Sequence, residues 1–175
     1  FKKAYEIALQ TIELRVMVDV AHQDAARAAL ALGLPDEAIG HLRLAARRGP
    51  ATRRAFHLWT LGSVLFLEGR DAEAASCFDR ASRWGTTDKP LYQAQAALAR
   101  LRRGETVPDA ADLLRALAKV PSGQGYGRFV LGQLAYYLRA WGESRKHLEA
   151  FVVRTREGRP GLTTSLAGEL ALAES

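Results

Sequence analysis

At 175 residues the chain is long enough for one compact domain or one short run of stacked repeats. It is 48% hydrophobic and 25% charged, the mix of a folded globular protein. No apolar run approaches the roughly 18–20 residues of a membrane-spanning helix, and the net charge of +6 permits an acidic partner without requiring one.

Six prolines and the lack of alternating Val, Ile and Thr runs argue against a sheet, whereas Ala and Leu, both strong helix formers, dominate. The expected class is all-α. Cys77 is the only cysteine and has no partner for an internal disulfide, which points to a reducing compartment and a cytoplasmic location. The sequence opens on Phe1 rather than Met, and Lys2-Lys3 leads into no apolar signal core, so a piece of a longer protein is expected.

In chain order, a leading helix is expected over 3–14. It is followed by a turn near Arg15 to Val18 that no breaker residue marks. A spacing then sets in and recurs. Ala26, Gly33, Ala38, Leu42, Ala45 and Pro50 form the first copy, and Gly62, Gly69, Ala74, Phe78 and Ala81 the second. The third is Ala97, Gly104, Ala110, Leu114, Leu117 and Pro121, and the fourth Gly132, Arg139, Ser144, Leu148 and Phe151. Such a period means stacked supersecondary units. Gly33, Gly69 and Gly104 fall where a first helix must end in a left-handed cap. Pro35-Asp36-Glu37, Asp71-Ala72-Glu73 and Pro108-Asp109 suit the first turn of a second helix, where carboxylates meet the positive end of the dipole. Small residues at Ala26, Gly62, Ala97 and Gly132 let paired helices approach closely. One hairpin cannot bury both of its stripes, so the units must stack.

The expectation is one domain, 1–175, of about ten helices: units over 19–52, 55–88, 90–121 and 125–156, and a trailing helix over 160–173. Gln93 and Arg100 fall on points that ought to be apolar, which leaves the third unit's register open by one residue.

Leu58-x-x-Leu61-Gly62-x-x-Leu65, with Gly69, Ala74, Phe78 and Ala81 after it, resembles the tetratricopeptide repeat signature, with leucine where that family often has tryptophan. The resemblance implies an α-solenoid: a right-handed superhelix of antiparallel helix pairs, with a concave groove lined mainly by the first helices. It implies an interaction scaffold. The subclass that grips an acidic carboxy-terminal tail uses lysine, asparagines and arginine. Here the corresponding points hold Gln23, Arg27, Thr60 and Gln95, and the chain has no asparagine, so that mode is not expected.

On each first helix, the stripe offset from the packing stripe should face the groove. It comprises Val20, Gln23, Arg27 and Leu30, then Phe56, Trp59, Ser63 and Phe66, then Leu91, Ala94, Leu98 and Leu101. The fourth set is Tyr126, Phe129, Gln133 and Tyr136, with Tyr137 beside it. An aromatic groove with Gln23, Arg27 and Gln133 as polar handles suits a partner helix or extended peptide, and Trp59 and Tyr136 are its foremost candidates.

Basic clusters at Arg47-Arg48 with Arg53-Arg54, at Arg100, Arg102 and Arg103, and at Arg154, Arg156 and Arg159 are expected near helix ends, where the dipole favours cations. A phosphate-binding ridge is the competing reading. Gly123-x-Gly125-x-Gly127 lacks the strand of a dinucleotide site and the Lys-Ser/Thr of a P-loop, so it reads as a connection. His22, His41, His57 and His147 have no metal-ligand spacing, with only Asp19 close to His22, and a core position is expected for His22. Cys77 reads as a small buried filler. No catalytic constellation assembles, so neither enzyme activity nor a cofactor or metal is expected. The expected function is a scaffold that binds a protein or peptide. The alternative is a regulatory or sensor module of a larger protein, acting on nucleic acid through a basic edge or a fused domain.

Overall fold

A computed structural model describes residues 1–15, 17–159 and 161–175. Among them lie eleven α-helices: α1 (Lys2–Glu13), α2 (Val18–Ala31), α3 (Pro35–Arg48), α4 (Ala51–Leu67), α5 (Asp71–Trp84), α6 (Lys89–Arg102), α7 (Ala110–Ala118), α8 (Gly127–Tyr137), α9 (Trp141–Arg156), α10 (Leu162–Ser165) and α11 (Ala167–Glu174). The chain is all-α, and consecutive helices pack in pairs in the manner of a helical repeat. No helix among the described residues is long and apolar enough to cross a membrane.

The hairpins α2–α3, α4–α5, α6–α7 and α8–α9 fill the four sequence units, with α1 ahead of them and α10–α11 behind. Small residues set their spacing. A Cβ built on Gly62 would sit 2.7 Å from the Phe78 ring, and one on Gly132 would sit 2.5 Å from Leu148. A side chain at either point would therefore push its hairpin apart. One continuous core runs through the stack, with Leu42, Leu58, Phe78, Leu98, Phe129 and Phe151 fully enclosed.

Gly33, Gly69 and Gly104 carry φ of 74°, 73° and 78°, the left-handed cap that the sequence requires of them. In the fourth hairpin the same turn falls on Arg139, at φ 59°, without glycine's freedom. Nothing lies within 4 Å of a Cβ added at Gly33, Gly69 or Gly104, so alanine there meets only backbone strain. Each such variant should lose about 1 kcal/mol. Arg139→Gly should move the other way, gaining about 0.5 kcal/mol, and urea midpoints of the four variants check both signs.

The unmarked turn between α1 and α2 contains Arg15 and Met17, both at positive φ (55° and 43°). α1 docks through Tyr5, whose hydroxyl donates to Glu37 (2.7 Å) and lies 3.2 Å from His41 Nε2. His41 Nδ1 meets His22 Nδ1 at 3.0 Å, so His22 is a core residue, 3% exposed. Asp19 does not turn to His22; it serves His57 and Arg53. Cys77 is buried.

The trailing part departs from the single helix expected over 160–173. α10 and α11 meet at a break on Leu166 (φ −117°, ψ 25°), and Pro160 lies outside the described residues. This segment folds back across the first helices, touching α2 as well as α8 and α9.

Candidate functional site

The first helices are joined side by side by polar links. Between α2 and α4, Arg53 grips Asp19 with two bonds (2.8 and 3.0 Å), and His57 Nε2 meets the same carboxylate at 2.9 Å. Gln23 Oε1 lies 3.2 Å from His57 Nδ1. Gln23 is therefore a buried strut, 7% exposed, and not the free polar handle expected of it.

From α4 to α8 the link is directional. The Trp59 indole N–H donates to Gln95 Oε1 (2.6 Å), and Gln95 Nε2 donates to the Tyr126 hydroxyl (3.4 Å). Indole is donor-only, so the Gln95 carbonyl must face it and the amide must face Tyr126. The Tyr126 oxygen then accepts from Gln95, and its own proton is free to point onward. Its neighbours at the adjoining cavity are Ser63 of α4 and Glu169 of α11, and burial beside that carboxyl raises the phenol well above its usual range. Trp59 and Tyr126 also stack edge to face, with centroids 5.4 Å apart, and Phe56 leans on Trp59 at 5.9 Å.

A cavity of about 210 Å³ remains where these walls meet the trailing segment. Trp59, Ser63 and Tyr126 line one side, and Leu166 and Glu169 the other, with Arg27 among the residues around it. Glu169 is 5% exposed and has no cationic partner among the described residues. Burial pushes its carboxyl up, against smaller opposing effects of the backbone N–H and the Tyr126 hydroxyl. The segment is further held by Gln133 Nε2, which donates to the Leu172 carbonyl (3.2 Å), and by Arg156 on Glu174 (2.5 Å).

Of the residues expected in one continuous aromatic groove, Phe56, Trp59 and Tyr126 come together at the cavity, with Gln23 and Arg27 on its α2 side. Phe66 and Phe129 are core residues, 3% and 1% exposed. Phe66 sits under the Arg102 guanidinium (3.9 Å), and Phe129 packs on Phe151. Tyr136 and Trp141 form a separate exposed pair where α8 turns into α9, with the half-buried Tyr137 beside them; Tyr136 is 52% exposed and lies 5.3 Å from the Trp141 ring. Arg27 is exposed and paired with Asp24. Leu91, Ala94 and Leu98 of α6 are buried, because α5, α7 and α8 surround that helix. Gln95, which carries the link in the third unit, stands one position beyond Ala94 of the expected stripe.

Glu169 makes the docking pH-sensitive with a definite sign. A carboxyl raised in the docked state favours docking when it is protonated, so docking weakens as pH rises above its free value of 4.5. The groups facing it are Tyr126, just ahead of α8, and the uncharged Ser63 of α4. Arg27 of α2 stands at the cavity wall, and Arg156 of α9 is occupied by Glu174. Hydrogen exchange of 161–175, corrected for intrinsic rates, should show more protection at pH 5 than at pH 8.

A second feature lies on the opposite face of α4. A cleft of about 800 Å³ is lined by Arg43, Arg47, Arg54, Arg80 and Trp84, with Cys77 and the leucines of α4 among its walls. Arg54 stacks on Trp84 at 4.7 Å, and Arg43 pairs with Glu73 (2.7 Å). Arg47 and Arg80 have no ion-pair partner among the described residues. Arg53 and Arg54 stand in the first turn of α4, not near the end of a helix as expected. The dipole disfavours cations there, and Asp19, Trp84 and the Gly49 carbonyl compensate. Arg100, Arg102, Arg103 and Arg156 are paired with Asp79, Asp71, Glu105 and Glu174, so that with Arg53 on Asp19 half of the arginines in the expected clusters are neutralised.

Comparison with family models, curated proteins and solved structures gives no match to this chain.

Proposed function

We propose that the chain is a tetratricopeptide-type binding module without catalytic activity, which holds a partner peptide or helix against the inner face of its first helices. The observation that carries this reading is that the Phe56, Trp59, Gln95 and Tyr126 wall faces a helical segment of the chain itself, α10–α11. A wall that accommodates one helix has the shape and hydrogen-bond directions to take another. The recurring Gly33, Gly69 and Gly104 turns support the family reading, and the single buried Cys77 supports a reducing, cytoplasmic setting.

Trp59 and Tyr136 stand in different clusters, so they are tested singly. Partner capture from lysate should fail with Trp59→Ala and persist with Tyr136→Ala, with the helical circular dichroism of both unchanged. Loss on Tyr136→Ala alone would move the site to the Tyr136–Trp141 patch, and no loss in either would remove it from the first helices.

The arginine cleft favours a second reading, a module that contacts nucleic acid phosphates, since Arg47 and Arg80 are uncompensated beside the ring of Trp84. Retention on single-stranded DNA at low salt, falling steeply with added salt and reduced by Arg47→Ala with Arg80→Ala, is its expected signature. No retention at low salt would dismiss it.

A further inference from the structure

We infer that segment 161–175 is a tethered, displaceable occupant of the inner face, and that the external partner is a helix with the same Leu-x-small-Glu-Leu order, offering its carboxyl to the Tyr126 hydroxyl. This rests on the groove reading above and adds to it both the partner's chemistry and the means of regulation.

Three observations converge. The Trp59–Gln95–Tyr126 chain is polarised by the donor-only indole, so it ends in an O–H directed into the cavity that Ser63 and Glu169 line. The wall is therefore set for a carboxyl or carbonyl oxygen even though no lysine or arginine salt bridge reaches Glu169 among the described residues. Next, four of the five residues in Leu166-Ala167-Gly168-Glu169-Leu170 meet the surface, with Ala167 exposed. Leu170 is buried, Leu166 packs on the core, and a Cβ on Gly168 would already lie 3.0 Å from Leu67. A larger residue at that step must push the Leu67 methyls aside, which gives the partner its small residue.

The third observation is how lightly the segment is built. α10 has four residues, none of them buried, and α11 has eight, of which Glu169 and Leu170 are buried. Helices this short do not persist alone in water, so they are held by the groove and not the reverse. Their polar anchors are a Gln133 bond at 3.2 Å, a Thr163 bond to the Thr155 carbonyl at 3.4 Å and the half-exposed Arg156–Glu174 pair. A cavity of about 210 Å³ is left under them. A segment with few buried groups and a void beneath it opens locally before the core does.

The test uses the full chain and, as probe, a labelled synthetic peptide of residues 161–175. Gly168→Arg should expel the segment, seen as fast hydrogen exchange confined to 161–175. The peptide should then bind this variant at least ~10-fold more tightly than it binds the wild type, whose groove is occupied. A Glu169→Ala peptide, or Tyr126→Phe added to the opened chain, should each weaken binding by about 10-fold, the ordinary size for losing one buried hydrogen bond to a carboxyl.

Equal binding of the native and Glu169→Ala peptides would overturn the carboxyl assignment. As a measurement independent of the Gly168→Arg fold, excess peptide added to the wild type should accelerate exchange of 161–175. A segment that exchanges only with the global core, with or without peptide, overturns the inference while leaving the groove reading standing. A segment that is released while the exposed wall refuses the peptide overturns both.

Discussion

Phe78→Ala should cost about 3–5 kcal/mol, among the largest losses open to a single substitution in this chain. The ring is completely buried and faces Gly62 across the α4–α5 hairpin, at the distance where a Cβ would already collide. Removing it leaves a void that two closely packed backbones cannot collapse into. The reverse change, Gly62→Val, should cost roughly 1–3 kcal/mol by overpacking, since the nearest atoms belong to an enclosed ring and not to a flexible chain end. The two positions should couple: in the pair Gly62→Ala, Phe78→Leu, the smaller ring position should take back about 1 kcal/mol of the added methyl's penalty. Urea unfolding of the four proteins measures this directly, and strictly additive losses would show that the contact does not set the hairpin spacing.

Asp19→Ala should cost about 2–4 kcal/mol for a different reason. His57 is 1% exposed, and the carboxylate it meets is the one that Arg53 grips with two bonds. Without Asp19 the ring loses its partner in a place that water does not reach. Arg53, half exposed, recovers much of its loss by turning outward, so Arg53→Ala should be the milder variant. The Arg53 bonds hold the Asp19 carboxyl down at about 2, below its free value of 3.8. Its contribution is therefore complete above about pH 4 and is lost as pH falls through 2, where the two states bind the same proton. The gap in stability between the wild type and Asp19→Ala should narrow across that window. A gap that stays constant down to pH 2 would mean that Asp19 contributes no charge-dependent stability.

The helix pairs were legible because a backbone rule wrote them into the sequence. A left-handed cap demands glycine, and Gly33, Gly69 and Gly104 mark three first-helix ends that the structure places there. Where the rule is broken, the sequence goes silent. The turn after α1 uses Arg15 and Met17 at positive φ, residues that signal nothing of the kind, and Arg139 was recognisable only because it occupies a glycine's place in the period.

The site was harder to read for a different physical reason. Periodicity tells which face of a helix is apolar, not what covers it. Phe56 and Trp59 lie near the 210 Å³ cavity, yet Phe129 in the corresponding stripe of α8 is sealed beneath α9. Gln23 and Gln95 look alike in sequence, and one braces a histidine while the other aims a tyrosine. The role of Glu169 could not be read from its surroundings in the chain. Its nearest significant partner, Tyr126, is forty-three positions away and meets it only once the trailing segment turns back.

That return path changes the mechanics of the whole array. A stack in which each hairpin touches only its neighbours is an open rod, free to fray from either end and to flex along its length. Segment 161–175 runs from the last hairpin to α2 of the first and acts on the rod as a string acts on a bow. While it is strung, the outer hairpins cannot spread without breaking it, so the curvature of the inner face is held. Once it is unstrung, the four hairpins regain independent motion. A partner that replaced the segment without bridging the same two ends would leave the array straighter and its unfolding less cooperative.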